Sequence, residues 1–176
     1  MELLGTHGTT QTRAKTIQRE GQFRPARKAG RAGTGVYFWA YQNDPSLAHL
    51  LANMWWEQCS KEGRYKSDPF QACKVIYVTL KTDDHLYFDM GDPFFQELIF
   101  KTAQERAINT VNELSQLYDW ALNELEIALK IKYLVISANV PKPRVDQMPQ
   151  FLLMTNFKCY VVRGDFKKVI SIDSIV

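Results

Sequence analysis

Three short stretches carry residue types that can do chemistry. Thr6-His7-Gly8-Thr9 lies near the start, Gly33-Thr34-Gly35-Val36-Tyr37-Phe38 follows a basic loop, and Lys158-Cys159-Tyr160-Val161-Val162 lies near the end. A histidine offers an imidazole that titrates near neutral pH. A glycine beside it lets another group approach the backbone closely, and a tyrosine offers a ring to stack on. Each stretch alone is weak. A His-Gly-Thr tripeptide arises often by chance, Gly-Val-Tyr-Phe is ordinary strand material, and a lone histidine is more often structural than catalytic.

The elements that must position them follow from pattern. Leu3-Leu4 reads as a strand stub ending at Gly5. Thr9 or Thr10 caps a helix over 11–20, with Ala14 and Ile17 as its apolar side and Gly21 as its stop. Residues 22–35 read as an irregular loop and 36–39 as a buried strand. Asp44 then caps a helix with Pro45 at its first position, running to about Cys59 through Leu47, Leu50, Leu51, Met54 and Trp55.

Further on, 74–80 and 85–88 read as strands, and Asp92-Pro93 opens a helix to about Ala103. Apolar positions from Ile108 to Leu129 mark a long amphipathic helix over 107–131, against which Trp55 and Trp56 are expected to pack. A strand at 133–137, a proline-punctuated loop at 141–149 and closing strands at 151–154, 159–162 and 169–172 complete an α+β order. No repeat or linker interrupts it, so residues 1–176 are expected to form one domain.

Composition bounds the rest. Apolar residues are 45% and charged residues 23%, as in ordinary globular chains. No apolar run is long enough for a membrane span, and the start lacks the marks of a signal peptide, so a soluble cytoplasmic protein without a membrane partner is expected. Cys59, Cys73 and Cys159 are far apart and form no cluster with His7, His49 or His85; neither a disulfide framework nor a metal site is expected. The net charge of +3 is uneven: Arg13, Lys15, Arg19, Arg24, Arg27, Lys28 and Arg31 face only Glu20 in their segment. Such a cluster suits phosphate or a polyanion, and equally a solvated face.

The order HGTTQTRAKTIQREGQFRP…GTGVYFWAYQNDPSLAH over residues 4–49 resembles the nicotinamide-binding half of ADP-ribosyltransferases of the His-Tyr-Glu type. These include the poly(ADP-ribose) polymerases, diphtheria-like toxins and the bacterial DarT toxins that modify DNA. The resemblance implies a split antiparallel sheet with flanking helices, to which the long helix is an insertion, and NAD as substrate. It implies catalytic positions at His7, Tyr37 and Cys159, with NAD held by Gly8, Thr9, Arg24, Ser46 and His49. In that reading the Gly8 backbone grips the nicotinamide carboxamide, and Ser46 bonds its oxygen. Tyr37 stacks on the ring with His49 in the place of a second stacking tyrosine. His7, assisted by Thr9, holds an adenosine-side ribose hydroxyl, while Arg24, or else Arg13, meets the pyrophosphate.

The third position departs from the family. Aligning the apolar strand puts Cys159 where a glutamate belongs, and that glutamate bonds the nicotinamide ribose and favours the oxocarbenium-like transition state. A natively altered position, as in mono-ADP-ribosylating polymerases, is the preferred account. A silencing substitution, or Gln150 or Asp146 reaching the site instead, are the others.

The function implied is a mono-ADP-ribosyltransferase (a glycosyltransferase releasing nicotinamide), of the kind found as intracellular bacterial or phage-defence toxins. Its acceptor would be a nucleic acid or a protein, and its partner an antitoxin. The alternative is a catalytically weak or inactive module of the same fold that binds NAD, ADP-ribose or RNA. The pattern of the related RNA 2′-phosphotransferases is not found.

Overall fold

The computed structural model describes residues 1–25, 30–146, 152 and 155–176. In it β1 (Glu2–Thr10) is flanked by β2 (Val36–Tyr41) and β3 (Cys73–Lys81). With β4 (Tyr87–Asp89), β5 (Val135–Pro141), β6 (Asn156–Val162) and β7 (Ile170–Ile175) they form one sheet in the order β4-β5-β6-β2-β1-β3-β7. All neighbours are antiparallel except β4 and β5, which pair in parallel at Tyr87↔Val135. The sheet is therefore mixed, where an antiparallel one was expected. Residues 90–134 leave β4 and return to it on the same side, and such a crossover through helices is how parallel neighbours are joined.

Side chains alternate across the sheet. From β2, Val36 and Phe38 enter a core with Ala14 and Ile17 of α1 (Gln11–Glu20), Phe23 and Val169. Tyr37 and Trp39 enter a second core on the other face. That core is built with α2 (Ser46–Lys61), α3 (Pro93–Glu105) and α4 (Val111–Leu129). A four-residue α5 (Phe166–Val169) precedes β7.

Local chemistry sets the ends. The Thr10 hydroxyl accepts from Arg13 N–H to start α1, and Gly21 stops it in the left-handed region at φ 61°. Thr110 and Glu113 form a reciprocal capping box that starts α4 at Val111, later than the expected 107. Ala107, at φ 50°, separates it from α3.

Other boundaries also moved. β1 continues through His7 to Thr10 instead of ending at Gly5, because β3 pairs with it over its whole length. Asp44 accepts from Ser46 N–H as expected of a cap, but Pro45 stands just outside α2. Trp55 and Trp56 do not join the core beneath α4: Arg64 lies over the Trp55 ring, and Trp56 donates to the Gln71 carbonyl. The strand expected at 151–154 lies outside the described residues apart from Leu152, as do Arg27, Lys28 and Gln150.

Candidate functional site at the parting of two strands

The ladder between β1 and β2 runs Leu4↔Tyr41, Gly5↔Ala40 and Thr6↔Trp39, and there it stops. Beyond it β1 stays with β3 as far as Thr10↔Cys73, while the start of β2 stays with β6 at Val36↔Val162 and Tyr37↔Val161. The two strands therefore part at His7, and the orientation of the next residue follows from the ladder. Gly8 stands opposite Val75. Val75 exchanges both of its backbone hydrogen bonds with Val176, at 2.9 and 3.0 Å, on the far side of β3. In an antiparallel pair the two residues either bond each other or both face away. The N–H and C=O of Gly8 hence point away from β3, toward the side on which the β1–β2 ladder has ended. Gly8 also has no space for a side chain, since a Cβ would fall 1.9 Å from the Ala52 carbonyl oxygen of α2.

His7 bridges the parting. Its Nδ1 lies 3.0 Å from the Tyr37 carbonyl oxygen, taking up an acceptor that the interrupted ladder leaves over. A carbonyl can only accept, so Nδ1 carries the proton, and in the neutral ring Nε2 keeps its lone pair. Phe23 meets the half-buried imidazole at 5.5 Å edge-on, and Phe38 lies at 5.7 Å. Burial holds its pKa below the ordinary 6.5; the bond to the Tyr37 carbonyl opposes this and the Arg13 charge adds to it. The unfolded chain thus takes up the proton first as pH falls below 6.5, and stability declines from there toward the lower folded value. Urea denaturation from about pH 8 to about pH 5 is expected to show this slope in the wild type and less of it in His7→Gln; equal slopes would contradict the buried neutral ring.

Tyr37 leaves the sheet on the face opposite His7. Its hydroxyl accepts from Ala32 N–H at 2.9 Å and donates to the Gly33 carbonyl at 2.7 Å. The turn holding it is closed by reciprocal Gly30–Gly33 backbone bonds. Asp119 of α4 ties this turn down, accepting from Thr34 N–H at 2.8 Å and from its hydroxyl at 2.7 Å. Gly33, at φ 85°, lies so near that carboxylate that a Cβ would clash. Desolvation pushes the Tyr37 phenol well above its usual range.

The other expected site residues are dispersed. Cys159 is 1% exposed, between Trp39 and Ala138 in register, and burial pushes its thiol up to about 12. A thiol so placed is neutral and reaches no solvent. Thr9 is buried with its hydroxyl at the Tyr65 phenol. Ser46 is exposed and donates to Asp44 at 2.7 Å. His49 stacks on Tyr77 with Nδ1 2.6 Å from its hydroxyl, next to Tyr41, at the end of β2 remote from Tyr37. Arg24 is exposed, with Glu20 at 3.3 Å. Arg13 is bound to Asp68 at 2.7 Å and to the Arg64 carbonyl at 2.9 Å. The structure thus brings the His7 imidazole to the Tyr37 carbonyl beside Gly8, and sends the Tyr37 ring to the opposite face of the sheet, where Cys159 also lies.

Two positioning contacts have no sequence signature. Thr6 donates to the Ala48 carbonyl at 2.8 Å, fixing α2 against β1, and Asp119 reaches Thr34 from far along the chain. Among the described residues no group of His, Cys, Asp and Glu is arranged to hold a metal ion, and no helix is long and apolar enough to cross a membrane. The chain matches no protein-family model, no curated protein and no solved structure.

Proposed function

We propose that the parting of β1 and β2 takes the nicotinamide end of NAD, and that the protein is a mono-ADP-ribosyltransferase. The observation that carries this reading is the N–H and C=O of Gly8, turned away from β3 where the β1–β2 ladder has ended, beside the neutral imidazole of His7. A primary carboxamide presents one acceptor and a donor pair at the same spacing as a strand edge, so it can take the place of the missing β2 ladder. The His7 Nε2 lone pair suits a ribose hydroxyl donor. Holding NAD across the parting would favour loss of nicotinamide as the C1′–N bond breaks. The acceptor's oxygen or nitrogen then bonds C1′ and gives up its proton. Catalysis of this kind rests on positioning and exclusion of water. With Cys159 inside the core, no carboxylate stands at that position to stabilise positive charge on the ribose, which favours a single transfer over chain growth.

The acceptor in this reading is a nucleic acid or a protein, and the protein a toxin restrained by an antitoxin. A second reading is a module of the same fold that binds NAD, ADP-ribose or RNA without turnover. The buried thiol and the Tyr37 phenol already occupied by its own turn favour it.

Nicotinamide release from NAD, with and without added RNA, DNA or cell lysate, separates the two. Release by wild type is expected to fall at least about a hundredfold in His7→Ala, the scale of losing a positioned acid–base or hydrogen-bonding group. No release by wild type under any of these conditions, together with calorimetric binding of NAD, would leave only the module. Neither release nor binding would remove both readings.

A further inference from the structure

A groove of about 450 Å³ lies between the last turns of α2, the first turn of α4 and the segment following β5. It is lined by Arg31, Gln58, Lys61, Glu62, Val111 and Arg144. Most of its charges are already matched. Glu62 takes Arg64 at 2.6 Å and the Gln58 amide at 2.7 Å. Lys61 takes Glu57 at 2.6 Å and Asp146 at 2.8 Å. The guanidinium groups of Arg31 and Arg144 have no ion-pair or hydrogen-bond partner among the described residues. Their backbones, however, are placed. Arg144 N–H donates to the Gln58 side chain at 2.8 Å, which pins its segment to α2. Arg31 precedes Ala32, whose N–H holds the Tyr37 hydroxyl.

We propose that this groove is a phosphate-binding site, with Arg31 and Arg144 supplying the charge. Two guanidinium forks on anchored backbone, opening into a concave space, match the planar double hydrogen bonding that Arg makes to phosphate oxygens. The carboxylates nearby do not cancel them, being held by Lys61 and Arg64. The groove borders the turn over Tyr37, across the sheet from the His7 imidazole, and the phosphate it takes has two candidate sources. It is either the diphosphate of NAD, deepening the reading proposed above, or the phosphodiester backbone of a nucleic-acid acceptor.

The test is a double variant, Arg31→Gln with Arg144→Gln, and a remote control, Lys81→Gln with Lys168→Gln, each checked by thermal melting. Binding is measured without turnover, for NAD by calorimetry and for a single-stranded RNA 12-mer by fluorescence anisotropy at two salt concentrations. If the site takes nucleic-acid phosphates, RNA affinity falls about tenfold in the groove variant and its salt slope drops by about 1.4, the value for two single-strand phosphates. NAD affinity then stays constant. If it takes the NAD diphosphate, NAD affinity falls by a similar factor and RNA is unaffected. Loss of neither, an equal loss in the control variant, or wild type binding neither ligand would overturn the site. Absence of nicotinamide release alone would defeat the transferase reading and leave the binding result standing.

Discussion

Gly8→Ala is expected to destabilise the protein by about 3 kcal/mol or more, at the upper end of what overpacking costs. The added methyl would sit 1.9 Å from the Ala52 carbonyl oxygen and 2.6 Å from its carbon, so backbone meets backbone and no rotamer change relieves it. Either α2 lifts from β1, breaking the Thr6–Ala48 bond, or β1 bows away from β3. For a chain of this size each kcal/mol lowers the melting temperature by about 2–4 °C, so a drop of about 6–12 °C is expected. Gly164→Ala is the control: nothing lies within 4 Å of its added Cβ, and its φ is not positive. A Gly8→Ala protein that melts with the control would mean that α2 does not lie against β1 as described. Any change in ligand binding by Gly8→Ala must be read against this loss.

Arg163→Ala is the second large effect. Arg163 follows β6, and its Nη1 lies 2.6 Å from Glu126 Oε1, with the side chains 14% and 10% exposed. The same oxygen accepts from Tyr133 N–H at 3.0 Å. Truncation removes the cation but leaves the mostly enclosed carboxylate unpaired, so a cost toward the lower end of the about 3–5 kcal/mol for breaking a buried pair is expected. Converting the partner as well, in Arg163→Ala with Glu126→Gln, is expected to recover part of the loss, because a neutral amide is cheaper to enclose than an unpaired charge. Urea midpoints of the wild type, single and double variants check this. A single variant as stable as wild type would refute the enclosed pair.

Much of the fold was legible in the chain because its signals are local. Thr10, Gly21 and Asp92 delimit helices by chemistry within four residues of the boundary, whereas the Thr110–Glu113 box that sets the start of α4 was passed over for the apolar pattern around it. The Val36–Tyr41 and Cys73–Lys81 runs could hardly be anything but strands. What escaped is non-local. Nothing around Gly5 tells that β3 will hold β1 straight through His7. The parallel β4–β5 pair is decided by how residues 90–134 fold back, which no pattern within Tyr87–Asp89 records.

The site divides in the same way. His7 and Gly8 were singled out by type, and they do meet at a structural discontinuity. The face on which Tyr37 emerges depends on strand alternation relative to β1, a one-residue matter that motif order does not resolve. Cys159 was aligned by the apolar run around it, and that run is what buries it. Asp119 looks like any solvated carboxylate of an amphipathic helix until the turn it holds is seen.

The strand order also has a temporal side. During synthesis β1, β2 and β3 emerge in succession and can pair at once, but the other edge of β2 waits for β6, whose Val162 must reach Val36. At about 5–20 residues per second that interval is roughly 6–25 s. Throughout it the Val-Tyr-Phe-Trp stretch of β2 presents an unpaired edge, the kind of surface on which nascent chains associate with one another. Closure across so long a loop also places refolding among slower, millisecond-to-second reactions. A helper that shields the free edge of β2 until β6 has emerged would therefore raise the yield of native protein.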